Sequence, residues 1–281
     1  MRFVLSNMII LFFNVLLTLF GAYSSSSTIN GNIQENYIKE GEIIDVWPAG
    51  TKTIVIDPGH GGKDNGTSYG NYKEKNITLN IALKLKKSLE NKMPDLNIVL
   101  TRSDDIFVPL YKRIDIANKL NADLFVSIHC NSYKKDGHIN GIEVFTLGIT
   151  DSEDNLDIAM RENASVLLEQ NHSDNYDWYD PTSIEAHIFL AAFQNIYLEE
   201  SIVIASEIGH NLKQLDGMKN RGVKQSGFVI LKQATMPSVL IETGFLSNAT
   251  DRRKLTTSNG QKGIAEAIAK AISSYFGSYA Q

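Results

Sequence analysis

Apolar, β-branched runs alternate with amphipathic stretches through the centre of this chain, and this alternation restricts the folds open to it. Six runs have the length and composition of buried strands: 53–57, 97–101, 124–129, 141–147, 227–231 and 238–242. Between the first three runs, apolar side chains recur at helical spacing over 77–89 and 110–120. Strands joined by helices normally pair in parallel. The sequence therefore predicts an α/β fold with a single domain, in which a mainly parallel mixed sheet of about six strands lies between helices.

The first 24 residues have the three-part organisation of a secretory signal peptide. Arg2 is followed by an apolar run over 8–20 and then by the small residues Gly21 and Ala22. As a helix this run would be about 20 Å long, which is short of the roughly 30 Å hydrocarbon core of a membrane. We therefore predict a signal peptide at 1–24, export of the protein, and no permanent membrane span after cleavage.

The rest of the chain is predicted to form one catalytic domain with a polar lead-in. Residues 25–50 are polar and aperiodic, which predicts a flexible N-terminal segment, and the domain itself extends over 51–278. Within the domain, 151–215 lacks strand signals and has helical stretches over 157–169 and 184–212, which predicts a helical insertion. The insertion has two interpretations, a cover for one face of the sheet and a lid or regulatory element over a site.

Charge and cysteine content narrow the classes of function and of stabilisation. The formal net charge is −5 and the isoelectric point is about 5.7, whereas a nucleic-acid-binding surface would be basic. Cys130 is the only cysteine, so an intramolecular disulfide is impossible. We therefore expect no nucleic-acid partner, and a fold that is stabilised by packing with Cys130 in the core.

Acid–base and metal-binding side chains follow the carboxyl ends of three predicted strands. His60 comes after the first strand, His129 ends the third and Glu242 ends the last, while Glu74 begins the first helix. Ligand sites of α/β sheets form at this edge, so the four side chains are expected to converge. Two histidines and a carboxylate are a known ligand set for catalytic zinc, with a second carboxylate as the base. The residues alone predict metal-assisted hydrolysis of an amide or an ester; the alternative for each histidine singly is a hydrogen-bonded structural role.

Four sequence blocks resemble, in order, those of the zinc-dependent N-acetylmuramoyl-L-alanine amidases, the type 3 amidases that act as peptidoglycan hydrolases. The blocks are 56–62 (IDPGHGG), Glu74, 127–132 (SIHCNS) and 240–248 (LIETGFLSN). The resemblance implies that His60, Glu74 and His129 bind Zn²⁺ and that Glu242 is the catalytic glutamate. It also implies the substrate, the amide between N-acetylmuramic acid and L-alanine in peptidoglycan. A role in cell-wall remodelling or daughter-cell separation follows from the resemblance together with export. So does a location in the periplasm, with the cell envelope or the extracellular space as the alternatives.

The same resemblance suggests a regulatory role for the helical insertion. In some members of the family an insertion at this place occupies the zinc cleft until a partner protein draws it away. We therefore expect autoinhibition by a plug at 180–200, an activator protein that relieves it, and Glu185 as the autoinhibitory residue facing the metal. The alternative for Glu185 is a solvent-exposed position on an amphipathic helix.

Two other functions fit the same residues. A catalytically silent wall-binding or activator protein would keep the fold, although the presence of Glu242 with all three ligands favours the enzyme. A zinc peptidase that cuts within the peptide stem would use similar metal chemistry and would differ in its products.

Overall fold

The chain divides into a short N-terminal unit, Met1–Pro48, and a larger unit, Ala49–Gln281. The computed structural model describes residues 36–39, 42–45, 50–133, 137–150, 152–170, 172–176, 179–191 and 196–278. The N-terminal unit contains two strands, β1 (Asn36–Lys39) and β2 (Glu42–Asp45), which pair antiparallel. They lie in the segment that the sequence predicts to be aperiodic, whereas the predicted signal peptide at 1–24 lies outside the described residues.

The larger unit is built on a six-stranded sheet. Its strands are β3 (Thr53–Pro58), β6 (Asn97–Leu100), β7 (Leu124–Asn131), β8 (Ile142–Leu147), β9 (Asn220–Ser226) and β10 (Ser238–Phe245), and a small hairpin after β3 consists of β4 (Ser68–Tyr69) and β5 (Tyr72–Lys73). The order in the sheet is β6-β3-β7-β10-β8-β9. The first four are mutually parallel, while β8 is antiparallel to β10 and β9 runs parallel to β8. The predicted mainly parallel mixed sheet of about six strands is confirmed.

Helices cover both faces of this sheet. The helices are α1 (Glu74–Lys92), α2 (Leu110–Lys119), α3 (Glu153–Asn163), α4 (His172–Asn175), α5 (Ile184–Ala191), α6 (Leu198–Lys213), α7 (Val229–Lys232), α8 (Ala249–Thr256) and α9 (Ser258–Ser278), with a 3₁₀ helix at Ala164–Leu168. One core lies between the sheet and α1, α6 and α9, and the other between the sheet and α2, α3 and α7. Within the described residues, none of these helices combines the length and the apolar character needed to cross a membrane.

The last part of the sheet differs from the sequence prediction. Residues 227–231 do not form a strand, because the short helix α7 begins at Val229, and Phe228, Ile230 and Leu231 are buried in the second core. An apolar run of this length is compatible with either a buried strand or a buried helical turn. The sixth strand is β9, which lies at the edge of the sheet and is largely polar and partly exposed. It therefore lacks the apolar signal of a central strand.

The predicted helical insertion at 151–215 contains two different parts. Helix α6, at its end, packs Ile204, Ile208 and Leu212 into the main core, so it is a supporting helix of the sheet. Helix α3 instead lies on the opposite face, with Ile158 and Ala159 in the second core. We call α3 the covering helix, because it crosses the sheet face that carries the candidate site.

Candidate metal centre

Neighbouring strands place the candidate residues on one face of the sheet. His129 of β7 lies opposite Glu242 of β10, and Glu242 lies opposite Glu143 of β8. Residues that are paired in this way point to the same face. Both His129 and Glu242 are buried, and Cys130, whose side chain alternates to the other face, lies in the main core as the sequence predicts.

His60 is fixed in an unusual backbone conformation by a buried arginine. Its φ of 61° lies in the left-handed region, which is uncommon for residues other than glycine. Arg113 donates hydrogen bonds to the carbonyl oxygens of His60 (2.7 Å) and Pro58 (2.8 Å) and to the carboxylate of Asp57 (2.8 Å). This network holds the loop after β3 so that the imidazole of His60 turns over the end of the sheet.

The two nitrogens of His60 have different partners. Nδ1 lies 2.9 Å from Oδ2 of Asp64, which also accepts a hydrogen bond from Ser165 Oγ at 2.7 Å. A proton on Nδ1 that is donated to Asp64 leaves Nε2 with its lone pair free, which is the form that binds a metal ion. His60 is therefore oriented as a ligand through Nε2.

Glu74 is the first residue of α1 and is only 1% exposed. Its Oε1 accepts a hydrogen bond from the backbone N–H of Cys130 at 2.9 Å, and its Oε2 accepts one from Thr67 at 2.8 Å. Each oxygen therefore keeps a lone pair for a further partner. The hydrogen bond from Cys130 ties Glu74 to the strand that carries His129.

Four side chains converge: His60, Glu74, His129 and Glu162 of the covering helix, with one ligand atom from each within 4.8 Å of the others. His60 Nε2 lies 3.2 Å from Glu74 Oε2 and 3.1 Å from Glu162 Oε2. His129 Nδ1 lies 3.2 Å from Glu74 Oε1 and 3.0 Å from Glu162 Oε2. The structure thus brings together the three residues that the sequence predicts as ligands and adds a fourth.

Two glycines make this convergence possible. A Cβ atom on Gly59 would lie 2.4 Å from Cε1 of His129, and one on Gly66 would lie 2.5 Å from Oε2 of Glu74. Both distances are shorter than a non-bonded contact allows, and Gly66 also has a positive φ of 62°. The Gly-rich loop therefore permits the close approach of backbone to the ligand side chains.

The donor set fits a divalent transition-metal ion. Within the described part of the chain, His60 Nε2 and Glu162 Oε2 are buried and make no hydrogen bond of normal geometry, although they lie only 3.1 Å apart. Buried polar atoms are normally satisfied, so both atoms lack a partner that a shared cation would supply. Imidazole nitrogens together with carboxylate oxygens suit zinc and its neighbours in the periodic table.

The electrostatics of the cluster reflect its crowded acids and bases. Burial by itself would lower the pKa of His129, but the carboxylates of Glu162 and Glu74 outweigh it and raise the pKa to about 10. The pKa of His60 is likewise raised well above its usual range, because Glu74, Asp64 and Glu162 outweigh the effect of burial. Protons and a metal cation therefore compete for the same nitrogen atoms.

Glu242 is completely buried next to this cluster, and neither carboxylate oxygen has a hydrogen-bond partner in the part of the chain that the structure describes. Burial is the main cause that raises its pKa well above the usual range, and the negative charges of Glu162 and Glu74 add to it. A carboxylate in this setting is a stronger base than an exposed one.

Comparison with known proteins decides the family. A family model described as N-acetylmuramoyl-L-alanine amidase matches residues 54–274, which is well over half of the chain. The chain belongs to this amidase family. Over 228 residues it is 35% identical to the N-acetylmuramoyl-L-alanine amidase AmiC of Escherichia coli O6:H1, a match that covers 79% of this chain and 52% of that protein. The chain therefore spans about half the length of this relative.

Solved structures agree with the family assignment. The amidase AmiC2 of Nostoc punctiforme superposes with a TM-score of 0.60 at 31% identity, over 82% of this chain and 99% of that one. The CwlD amidase of Clostridioides difficile, solved in complex with the GerS lipoprotein, superposes with a TM-score of 0.59 at 28% identity, over 81% and 99% of the two chains. The α/β fold is that of amidase catalytic domains.

The expectation for Glu185 in this amidase is not met, because the structure does not bring Glu185 to the cluster. Its side chain is exposed on α5 and accepts a hydrogen bond from Ser183 Oγ at 2.8 Å. The acidic residue that faces the ligands is Glu162, which sequence analysis missed. Glu162 follows Ile158 by four positions and Ala159 by three, so it shares their buried helix face. A carboxylate on the apolar face of a predicted helix was the sequence signal that could have identified Glu162 as a buried site residue.

Very little space is left beside the cluster. The cavity there has a volume of about 10 Å³ and is lined by His60, His129 and Glu162 among others. Such a cavity accommodates about one water molecule. The 3₁₀ helix that follows α3 also contacts the site, because Ser165 donates a hydrogen bond to Asp64. The ligand cluster is therefore covered in this conformation.

Proposed function

We propose that this amidase is a zinc-dependent hydrolase that cleaves the amide bond between N-acetylmuramic acid and L-alanine in peptidoglycan. The observation that carries the proposal is the convergence of His60, Glu74 and His129 beside Glu242 in a chain of this family. Two histidines and one carboxylate are a usual ligand set of catalytic zinc. When bound, such an ion polarises the carbonyl of the amide and lowers the pKa of a water molecule to about 7.

Glu242 is the group of the chain that is placed to move protons. Hydrolysis joins the water oxygen to the carbonyl carbon and breaks the C–N bond, and the departing amine of L-alanine must gain a proton. In our proposal Glu242 accepts a proton from the attacking water and delivers it to this amine. The raised pKa of Glu242 supports the assignment, because the group must retain the proton between the two steps.

The test is digestion of isolated peptidoglycan sacculi by the purified protein, with products identified by mass spectrometry. We expect release of intact stems that begin with a free L-alanine amine, abolished by a chelator and restored by zinc. Glu242→Gln should lower the rate at least about a thousandfold while zinc is still bound, because it removes only the proton acceptor. Products cut within the stem would identify a peptidase, and no release by any variant would identify a silent wall-binding protein.

We further propose that the covering helix inhibits the resting enzyme through Glu162. Its Oε2 lies within 3.1 Å of one nitrogen of each histidine, and so it takes the position that a catalytic water would need. The burial of His60, Glu74 and His129 supports the same conclusion, because a glycan strand with its peptide stem cannot reach these ligands while α3 is in place. This hypothesis keeps autoinhibition and replaces Glu185 by Glu162.

Paired substitutions in the two helices test this hypothesis. Glu162→Ala should raise basal hydrolysis of sacculi at least about tenfold, because the metal then regains an open position. Glu185→Ala is the matched control, since it removes an exposed glutamate of the same predicted insertion, and it should leave the rate unchanged. Equal rates for the wild-type protein and the Glu162 variant would remove the inhibitory role.

An activator protein is proposed to bind on α5. Ile184, Ile188 and Phe189 are each at least half exposed on this short helix, so three large apolar side chains of one element reach the surface. The complex of the CwlD amidase with the GerS lipoprotein is a precedent for a partner of this fold. A photoreactive residue at position 188 should capture a protein from the cell envelope that also stimulates hydrolysis, whereas one at Lys86 on α1 should not.

Export by a signal peptide completes the proposed function. We propose cleavage within the small-residue segment after the apolar run at 8–20, with Ser25 as the first residue of the mature chain. N-terminal sequencing of protein from the periplasm checks this, and intact Met1 there would contradict it. In this location the enzyme is proposed to act in cell-wall remodelling or daughter-cell separation, so cells that lack it should remain joined in chains.

A further inference from the structure

A cleft of about 400 Å³, lined by both apolar and polar side chains, lies beside the metal cluster and takes no part in the chemistry proposed above. Tyr133, Arg221 and Phe245 line the wall that belongs to the sheet and its loops. Asp154 and Asp157 of the covering helix line the opposite wall. The sheet wall therefore offers the cation Arg221, next to the carboxylate of Glu143 and independent of α3, whereas the α3 wall carries these two carboxylates and the cation Arg161.

The strand register gives the position of the cleft relative to the metal ligands. His129, Glu242 and Glu143 are paired in sequence across three neighbouring strands, and Glu143 lines the cleft. Two steps between strands of about 4.8 Å each place Glu143 about 10 Å from His129 along the sheet. An extended peptide advances at most about 3.3 to 3.6 Å per residue, so about three residues cover this distance.

Arg221 is held in place with part of its hydrogen-bonding capacity unused. Its Nε donates to Glu143 Oε1 at 2.8 Å, and its guanidinium lies 5.6 Å from the ring centroid of Phe245. Among the described residues, neither Nη atom of Arg221 has an acceptor. Lys224 donates to the same Glu143 oxygen at 2.6 Å, so two cations serve one carboxylate. A fixed guanidinium with free Nη donors is suited to bidentate binding of a further carboxylate.

We propose that Arg221 binds a free side-chain carboxylate on the third residue of the peptide stem, and thereby selects stems whose third residue is a diamino dicarboxylic acid. This inference rests on the proposed amidase function. The amide nitrogen of the stem starts at the metal cluster, and its third residue reaches the cleft. The carboxylate contact itself uses only the sheet wall.

Two synthetic substrates isolate this contact. Both are muramyl tripeptides of equal length, and their third residue is either diaminopimelic acid or lysine, which carries the ammonium group without the second carboxylate. We expect the wild-type enzyme to prefer the diaminopimelic acid substrate in kcat/KM. Arg221→Gln should lower kcat/KM for this substrate at least tenfold, mainly through KM, and change the lysine substrate less than twofold. The same measurements in the Glu162→Ala background prevent low basal activity from hiding the effect.

Lys224→Gln is the matched control, because Lys224 also pairs with Glu143 but does not line the cleft. It should leave the preference between the two substrates intact. Arg221→Lys keeps a cation beside Glu143 and should retain the fold while losing most of the preference, since lysine lacks the fork. Equal losses on both substrates, or no preference in the wild-type enzyme, would overturn the role of Arg221 and leave the amidase function standing. Hydrolysis of neither substrate by any variant would overturn both.

Discussion

At the scale of single residues, the site depends on charges that are buried together with their partners. Arg113 and Asp57 are almost inaccessible to solvent, and the same guanidinium holds the backbone of the His60 loop. Burial alone would raise the pKa of Asp57, but Arg113, Thr101 and Ser127 outweigh it and lower the pKa. The carboxylate is therefore charged at neutral pH, and it relies on Arg113 for compensation.

Arg113→Met tests this dependence. The substitution keeps an unbranched apolar stem but leaves the buried Asp57 carboxylate without its partner, so the free energy of unfolding should fall by about 3–5 kcal/mol. Urea denaturation of the mature protein measures the change. The double variant Asp57→Asn, Arg113→Met removes both charges and should recover part of the loss. Equal losses in the single and double variants would show that an uncompensated charge is not the cause.

At the scale of elements, helix α5 is fixed to its surroundings by the neutral form of a histidine. His187 is fully buried, its Nε2 lies 3.1 Å from the carbonyl oxygen of Pro181, and its Nδ1 lies 3.3 Å from Nδ2 of Asn163. Nε2 donates its proton to Pro181, and Nδ1 accepts from the Asn163 amide. Nδ1 also lies 3.1 Å from the hydroxyl of Tyr179, which can either donate or accept, and burial lowers the pKa of His187.

This arrangement predicts a pH dependence for the opening of α5. In the opened segment the histidine has a pKa near 6.5, whereas in the folded helix its pKa is lower, so the opened form binds more protons just below pH 6.5. The stabilisation is therefore complete above pH 6.5 and is lost as the pH falls through and below this value. Hydrogen exchange over 184–191, corrected for intrinsic rates, should show faster opening at pH 5.5 than at pH 7.5. His187→Gln should remove the difference; an unchanged difference would exclude His187 as its source.

The elements that the sequence predicts well are those whose role leaves a pattern in the apolar residues. Ile81, Leu85 and Leu89 repeat along α1 because they face the main core. His60 follows β3, and His129 and Glu242 lie near the carboxyl ends of β7 and β10, which meet at one edge of the sheet. Strand β9 could not be predicted in this way, because an edge strand does not need an apolar face and so leaves no apolar pattern in the sequence. Glu162 could not be predicted as a site residue either. Its partners are two histidines that are distant in the sequence, and only the packing of α3 brings it next to them.

At the scale of the whole molecule, the covering helix and the sheet contribute ligand atoms to the same candidate metal position. A metal ion bound by all four residues would join the two parts directly. Thermodynamic linkage requires the effect to be reciprocal, because the factor by which closure tightens metal binding equals the factor by which the metal tightens closure. Glu162→Gln should therefore weaken zinc binding about 10- to 100-fold in competition with a chelator. The same affinity in both proteins would contradict a ligand role for Glu162.

Because of this linkage, the stability of the closed resting state depends on whether the metal is bound. The covering helix is then most stable in its closed position when the metal is bound. Removal of the ion destabilises this position, although it also removes the catalytic metal. Proteolysis within 153–163 should accelerate on chelation in the wild-type protein and should be insensitive to chelation in Glu162→Gln. A single ion would in this way have two functions. It would be the reactive centre, and it would hold the covering helix closed until an activator opens the site.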